Sequence, residues 1–398
     1  MEPLDPARDP GPGADARAAP HLAPTARPAP HSSDPAAVRG ARPRGERPWA
    51  PKRVFVTRDA RGSAVAERAC RVGAALGAEI VELSGNAIRG LKGESERESY
   101  RRAKSSLAIV VAPPGKLKLQ PIPPSADFRL DLATGCPAHC QYCYLAGSLS
   151  GPPITRAYAN LDEVLATVPS YAGTGTITST SEARRHEGTT FEASCYTDPL
   201  GIEHLTGGLE ATIGAFAGYA ADGLDVGLRF TTKYAAVEPL LGLDHGGRTR
   251  VRFSVNAEEI TRRFEGGTAP LDARLDAMGR MARVGYPVGL TVAPIMPVDG
   301  WREAYADLFR RAAEALPDAC DLTVELITHR FTPGSREVLI GWYPATSLEM
   351  DESVRTAKTN KFGGRKYVYP KETMREMRDW FEAEAARALP GGAVLYWT

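Results

Sequence analysis

The run Cys136-Pro-Ala-His-Cys140-Gln-Tyr-Cys143-Tyr144 sets three thiols at C-x3-C-x2-C spacing within eight residues. Thiolates this close on one loop can share a single iron–sulfur cluster, the soft-ligand case. Three ligands to a four-iron cluster leave one iron open, much as catalytic metal sites keep a vacant position. Two plainer readings compete. A structural zinc knuckle wants a fourth Cys or His nearby, and His139 is poorly placed for this as the immediate neighbour of Cys140. Disulfides are the other, but six cysteines in 398 residues are sparse for an oxidising compartment. Cys70 and Cys320 stand alone and read as ordinary buried thiols.

Working outward, residues 131–297 alternate strand and helix patterns. Apolar β-prone runs fall at 128–132, 190–195, 226–232, 250–255 and 288–295, with a sixth at 322–326. Helical spacing falls at 161–168, 205–218, 257–264 and 271–285. Repeated β-then-α units predict a parallel sheet and, at this length, a partial (β/α)6 TIM-type barrel. Chemistry in such barrels sits at the C-terminal strand ends. Cys136, Cys195, Lys233, Ser254 and Ala293 all fall there. Upstream, strands at 53–57, 79–83 and 107–111 and a helix at 63–77 predict a small α/β N-terminal domain over 52–125. The barrel and a C-terminal substrate-binding segment then take 126–398. Residues 1–51 hold twelve of the 32 prolines and few large apolar side chains, so they are expected to be disordered. The Thr-, Ser- and Gly-rich stretch 173–188 reads as a surface insertion.

A net charge of +1 and 43% hydrophobic residues describe a soluble protein with ample core. No apolar run reaches the ~18 residues a membrane span needs, and the N-terminus carries no signal-peptide core. The expectation is a reducing cytoplasm and no membrane partner. Two basic crowds stand out: Arg229, Lys233, Arg248, Arg250, Arg252, Arg262 and Arg263, and then Arg355, Lys358, Lys361, Arg365 and Lys366. Such crowds track a phosphate backbone or form solvated faces interleaved with acids.

The cysteine spacing resembles the signature of the radical S-adenosylmethionine (radical SAM) enzymes. Ala133-Thr-Gly-Cys-Pro-Ala-His-Cys-Gln-Tyr-Cys-Tyr-Leu145 resembles the cluster loop of the spore photoproduct lyase family within them. Further blocks resemble that family in the same order. They are Asn160-Leu-Asp-Glu163, Phe191-Glu-Ala-Ser-Cys195, Gly201-Ile-Glu-His-Leu-Thr206, Phe230-Thr-Thr-Lys-Tyr234, Arg252-Phe-Ser-Val-Asn256, Val292-Ala-Pro-Ile295, Val324-Glu-Leu-Ile-Thr-His-Arg-Phe-Thr332 and Lys366-Tyr-Val-Tyr369.

The resemblance implies a [4Fe-4S] cluster on Cys136, Cys140 and Cys143, with S-adenosyl-L-methionine on the open iron. It implies repair of 5-thyminyl-5,6-dihydrothymine, an ultraviolet lesion of spore DNA, through a 5′-deoxyadenosyl radical, with an electron donor such as flavodoxin or ferredoxin. Residue by residue, Cys195 takes the hydrogen-donor position, and Tyr142 and Tyr144 line the cofactor and help relay hydrogen. Lys233 and Ser254 hold the cofactor's carboxylate and ribose region, and Thr197 and Ala293 supply further contacts. Lys361, Phe362 and Arg365 fall where the family contacts lesion and DNA. Two departures stand out: Lys361-Phe362 replaces an expected Arg–Tyr pair, and Gln141 stands where His is usual. Two other readings stay open: a related radical SAM enzyme acting on another nucleotide or a small molecule, and a cluster-containing redox sensor that binds DNA. The sensor gives Cys195 no role.

Overall fold

A computed structural model describes residues 48–146, 151–359 and 364–398. The expectation for the tail falls, up to residue 47, outside the described residues.

The chain opens with β1 (Arg53–Val56), α1 (Ala64–Ala75), β2 (Glu79–Glu82), α2 (Glu96–Lys104) and β3 (Ser106–Val110). Ser63 and Ser95 cap the two helices, each accepting from the backbone N–H three residues on. Next come β4 (Gln120–Ile122), β5 (Ala126–Leu130), β6 (Ala133–Thr134), β7 (His139–Cys140) and β8 (Thr155–Tyr158). The small sheet has the order β2-β1-β3-β8-β6. It therefore takes two strands from beyond residue 125, while β4, from before it, joins the large sheet. The thiol loop lies between β6 and β8, so both its ends are fixed in the small sheet.

The large sheet continues with α3 (Leu161–Leu165), β9 (Thr189–Ala193), α4 (Glu203–Thr206), α5 (Gly208–Ala221), β10 (Val226–Thr232), β11 (Thr249–Val255), α6 (Glu258–Phe264), β12 (Glu265–Gly266), α7 (Leu271–Arg283), β13 (Val288–Ile295), α8 (Trp301–Ala315) and β14 (Leu322–Thr328). After α9 (Pro333–Trp342) come the hairpin β15 (Thr356–Thr359) and β16 (Arg365–Val368), then α10 (Lys371–Ala388) and β17 (Gly392–Trp397). The sheet order is β17-β14-β13-β11-β10-β9-β5-β4. The pairings run parallel from β5 to β17, and β4 is antiparallel at one edge.

This is the curled, open half-barrel that the β-then-α repeat implies. The six expected strands are present, within a few residues at their ends. β17 is a seventh parallel strand that the pattern did not reveal, because a short apolar run at a chain end has no following helix to mark it.

The strands alternate in character. Phe191, Leu228, Phe230, Val251, Phe253, Leu290 and Val324 belong to the apolar core. The residues between them face the barrel interior and are polar. Arg252 donates to Glu325 at 2.7 Å and to Ser125 at 2.8 Å, and also meets Glu192. Arg229 reaches the same Glu325, and Thr291 donates to it at 3.1 Å. Gly289 makes room for this network, since a Cβ there would stand 2.6 Å from Arg252 Cγ. Burial opposes charge on Glu325, yet Arg252 and Arg229 hold it down to about 2.

The stretch 173–188 is anchored, not loose. Asp127 accepts from the Ile177 N–H and the Thr178 hydroxyl, both at 2.6 Å. Arg184 is buried and donates to the carbonyls of Pro124 and Ser125 at 2.9 and 2.8 Å. Its polar composition satisfies backbone groups beneath the barrel, which a sequence cannot distinguish from solvation.

Candidate active site

The thiol loop enters through Gly135 at φ +76°. A Cβ there would lie 2.3 Å from the Ile154 carbonyl oxygen, so only glycine lets the loop pass β8. β7 then pairs with β12, setting Cys140 opposite Glu265. Gln141 ties the loop down further. Its backbone N–H donates to the Phe264 carbonyl at 2.8 Å. Its side chain donates to the Arg263 carbonyl at 3.1 Å and accepts from the Thr346 hydroxyl at 2.6 Å. The residue that departs from the family pattern thus has a structural job.

Cys136, Cys140 and Cys143 are free thiols and line one cavity with Tyr100, Lys104 and Tyr343. The Lys104 ammonium donates to the carbonyls of Cys136 and Ala138. His139 is occupied elsewhere, its Nδ1 lying 3.0 Å from the Tyr100 hydroxyl. Burial pushes the Cys136 thiol up to about 11 and raises Cys140 as well. A thiolate here calls for a cation of its own, and bound iron is one. Among the described residues no three His, Cys, Asp or Glu side chains are poised around a single ion. Thiols lining a cavity suit a cluster, which fills volume, better than one zinc.

Four of the five expected cofactor residues, Tyr142, Lys233, Ser254 and Ala293, meet. Lys233, just past β10, donates through Nζ to Ser254 Oγ at 2.5 Å and to the Ala293 carbonyl at 3.3 Å. The same Nζ lies 5.7 Å from the centre of the Tyr142 ring. Thr197 Oγ1 is buried and, among the described residues, has no hydrogen-bond partner. An orphaned hydroxyl is costly unless a ligand satisfies it. A cation, a hydroxyl pair and a backbone carbonyl at the strand ends fit the amino-acid and ribose parts of S-adenosylmethionine.

Three groups here were not anticipated: Glu265, Arg274 and Asp198. The Glu265 carboxylate is fully buried, accepts from the Tyr142 hydroxyl and faces Lys233 Nζ at 3.5 Å and Arg274 at 2.6 Å. Arg274 carried a signal, for it interrupts the apolar stripe Leu271, Leu275, Met278 of α7. Glu265 follows a helix end and carried none. Asp198 completes the setting by accepting from Thr232 Oγ1 at 2.8 Å and the Lys233 N–H at 2.6 Å. Burial pushes its carboxyl up to about 6.

Cys195 follows Ser194, whose φ of +56° turns the chain off β9. Its backbone carbonyl accepts from the Tyr144 hydroxyl. Burial raises the Cys195 thiol, and Asp131 and Glu192 push the same way. It is therefore held as S–H, the form that can give up a hydrogen atom. Tyr144 is 64% exposed and stands at the rim beside it.

Three members of the first basic crowd offer no phosphate surface. Arg229 and Arg252 are buried and paired with Glu325 inside the barrel, and Arg250 is buried against Asp321. The second crowd divides. Arg355 is buried over the Tyr369 ring at 3.6 Å. Lys361 and Phe362 lie outside the described residues. Arg365 is exposed on β16, opposite Thr359. Lys358 stands directly across from Lys366. Burial first, then Arg330 and Lys358, holds the Lys366 ammonium below its ordinary value. Among the described residues none of Arg330, Lys358 and Lys366 makes a salt bridge.

The sequence model of the spore photoproduct lyase family matches residues 49–398. Spore photoproduct lyase of Geobacillus sp. (strain Y412MC61) is 41% identical over 88% of this chain and 100% of its own length. That of Bacillus subtilis (strain 168) is 40% identical over 81% and 91%. Among solved structures, a spore photoproduct lyase double mutant with bound AdoMet and dinucleoside spore photoproduct superposes with a TM-score of 0.79 at 37% identity. It covers 88% of this chain and 100% of that one.

Proposed function

The chain belongs to the spore photoproduct lyase family, and we propose on that ground that it is a radical SAM lyase. It would return 5-thyminyl-5,6-dihydrothymine in ultraviolet-damaged DNA to two thymines. The observation that carries this reading is the contact between the Tyr144 hydroxyl and the Cys195 carbonyl. It joins the residue after the last cluster thiol to the thiol at the rim, so radical generation and hydrogen return share one opening.

Cys136, Cys140 and Cys143 would hold the [4Fe-4S] cluster, while Lys233, Ser254, Thr197, Ala293 and Tyr142 would hold AdoMet. Bound there and reduced by a carrier such as flavodoxin or ferredoxin, the pair supplies hydrogen-atom abstraction from C6 of the lesion. The protein's part is to orient, exclude and return. Lys233 fixes a carboxylate as a point charge. Tyr100 and Tyr343 would wall one side of the cavity that holds the thiols. Cys195 would give its hydrogen atom to the product thymine radical once the bridge has broken, and Tyr144, whose hydroxyl meets the Cys195 carbonyl, would relay one back to the Cys195 sulfur from the cofactor side. Arg365 and the cations Arg330, Lys358 and Lys366 would take the DNA backbone.

The test is anaerobic reconstitution with iron and sulfide, then assay on a dinucleotide carrying the lesion. Formation of two thymines only with AdoMet and reductant supports the reading. AdoMet cleavage without lesion reversal would move it to a different nucleotide or a small molecule, the alternative that Lys361-Phe362 leaves open.

A further inference from the structure

Glu265 is a buried carboxylate to which the reaction above gives no role, yet it touches both halves of the machinery. Its backbone pairs with Cys140 in the β7–β12 ladder. Its side chain, with no exposed surface, accepts from the Tyr142 hydroxyl and faces Lys233 at 3.5 Å and Arg274 at 2.6 Å. Arg274 is itself committed, donating to the carbonyls of Ser254 at 2.9 Å and Ala269 at 2.8 Å and to Thr268 Oγ1 at 2.7 Å.

Glu265 is shared between two cations. Arg274 has the shorter contact with it, at 2.6 Å, and donates to three further acceptors. The Lys233 ammonium otherwise meets only a hydroxyl and a carbonyl, and Asp198 accepts from the Lys233 backbone N–H rather than from that ammonium. The Lys233 ammonium is therefore the cation left to meet an incoming carboxylate.

Resting on the reading above, we infer that Glu265 is a positioning residue that aims Lys233 and Tyr142 at the carboxylate end of AdoMet while its backbone sets the height of Cys140. One residue thereby fixes the spacing between a cluster ligand and the cofactor's anchor. Its carboxylate holds Lys233 by charge, at a distance that leaves the ammonium's one remaining donor direction to the cofactor. The Tyr142 hydroxyl, held by the same carboxylate, keeps the ring packed beside that ammonium.

The test uses reconstituted full-length protein. Glu265→Gln keeps the side chain's size and leaves the backbone ladder intact but removes the charge. Iron per chain and the cluster's visible absorbance should match the parent. AdoMet affinity, measured by equilibrium binding, should fall by about 10- to 100-fold, the range for loss of an outer-shell partner. The change that AdoMet induces in the electron paramagnetic resonance spectrum of the reduced cluster should need correspondingly more AdoMet. Tyr142→Phe should weaken affinity less. The double variant should lose less than the product of the two single losses, since the two groups are in contact. If Glu265→Gln does not accumulate folded, Glu265→Asp is measured instead, and the same split between retained iron and lost affinity is expected. Unchanged affinity overturns the inference. Loss of iron together with affinity in the variant measured also overturns it, making Glu265 a brace for the loop. A parent that holds iron but does not bind AdoMet at all sinks the proposed function instead.

Discussion

Replacing Arg330, Lys358 and Lys366 together with Gln should separate DNA binding from lesion chemistry. Lys358 and Lys366 face each other across the β15–β16 pair, and Arg330 adds to the field on Lys366. Like charges directly opposite on a ladder destabilise it, so an anion is the natural partner. If each cation neutralises one phosphate of a duplex, the three contribute about −2.7 to the slope of log K against log salt, at −0.9 per contact. Between 50 and 200 mM salt the parent should then lose about 40-fold more affinity than the triple variant, that slope applied to a fourfold change in salt. The assay is fluorescence anisotropy with a lesion-bearing oligonucleotide over a salt series, alongside turnover of the dinucleoside lesion, which carries no flanking phosphates. Turnover of the dinucleoside should stay at the parent level. An unchanged salt slope, or a parallel fall in dinucleoside turnover, would refute the phosphate role.

Cys195→Ala should keep cluster and AdoMet cleavage but yield fewer clean thymines and more adducts by chromatography; an unchanged product distribution would remove its donor role. Changing any of Cys136, Cys140 or Cys143 to Ala should abolish the absorbance near ~400 nm of thiolate-bound clusters, and retained reductive AdoMet cleavage would contradict the ligand assignment. Glu325→Ala leaves Arg229 and Arg252 facing each other inside the barrel and should cost about 3–5 kcal/mol in urea unfolding, the usual loss on breaking a buried pair; a loss below about 1 kcal/mol would mean that water reaches the network. His329 is buried, and burial, then Arg355, holds its imidazole at about 3. Its folded value lies below its unfolded one, so the unfolded chain takes the proton first. Stability should fall as pH drops from about 6.5 towards 3, by up to ~1.4 kcal/mol per unit. In His329→Gln this dependence should flatten, and an identical pH profile would show that other groups set it.

Much of the fold was legible because alternation of β-runs and helical stripes is a local signal. Six strands of the half-barrel follow from it, and so does the placement of Lys233, Ser254 and Ala293 at strand ends. β17 escaped because no helical stripe follows it to complete the alternation. The crowd of arginines from 229 to 252 showed how composition misleads. Spacing of two puts Arg250 and Arg252 on the same face, but only the partner strands reveal that this face is the barrel interior, with Glu325 waiting there. The thiol loop was legible in its spacing, whereas Glu265 was not, since its role depends on a two-residue ladder with no periodicity. The anchoring of 173–188 by Asp127 was hidden for a similar reason, one carboxylate 50 residues away along the chain.

An open half-barrel has two sheet edges where a closed barrel has none, and an edge invites pairing with another chain. One is blunted, because β4 contains Pro121 and Pro123-Pro124 follows it, and proline offers no donor for a further strand. At the other, β17 covers the long strand β14, and Thr398 itself exchanges hydrogen bonds with Leu326 and Thr328 at 3.0 and 2.7 Å. Residues 392–398 thereby take over the edge position from β14. Their strand is itself apolar and Val394 is exposed, so this edge stays open to a further strand where the β4 edge does not.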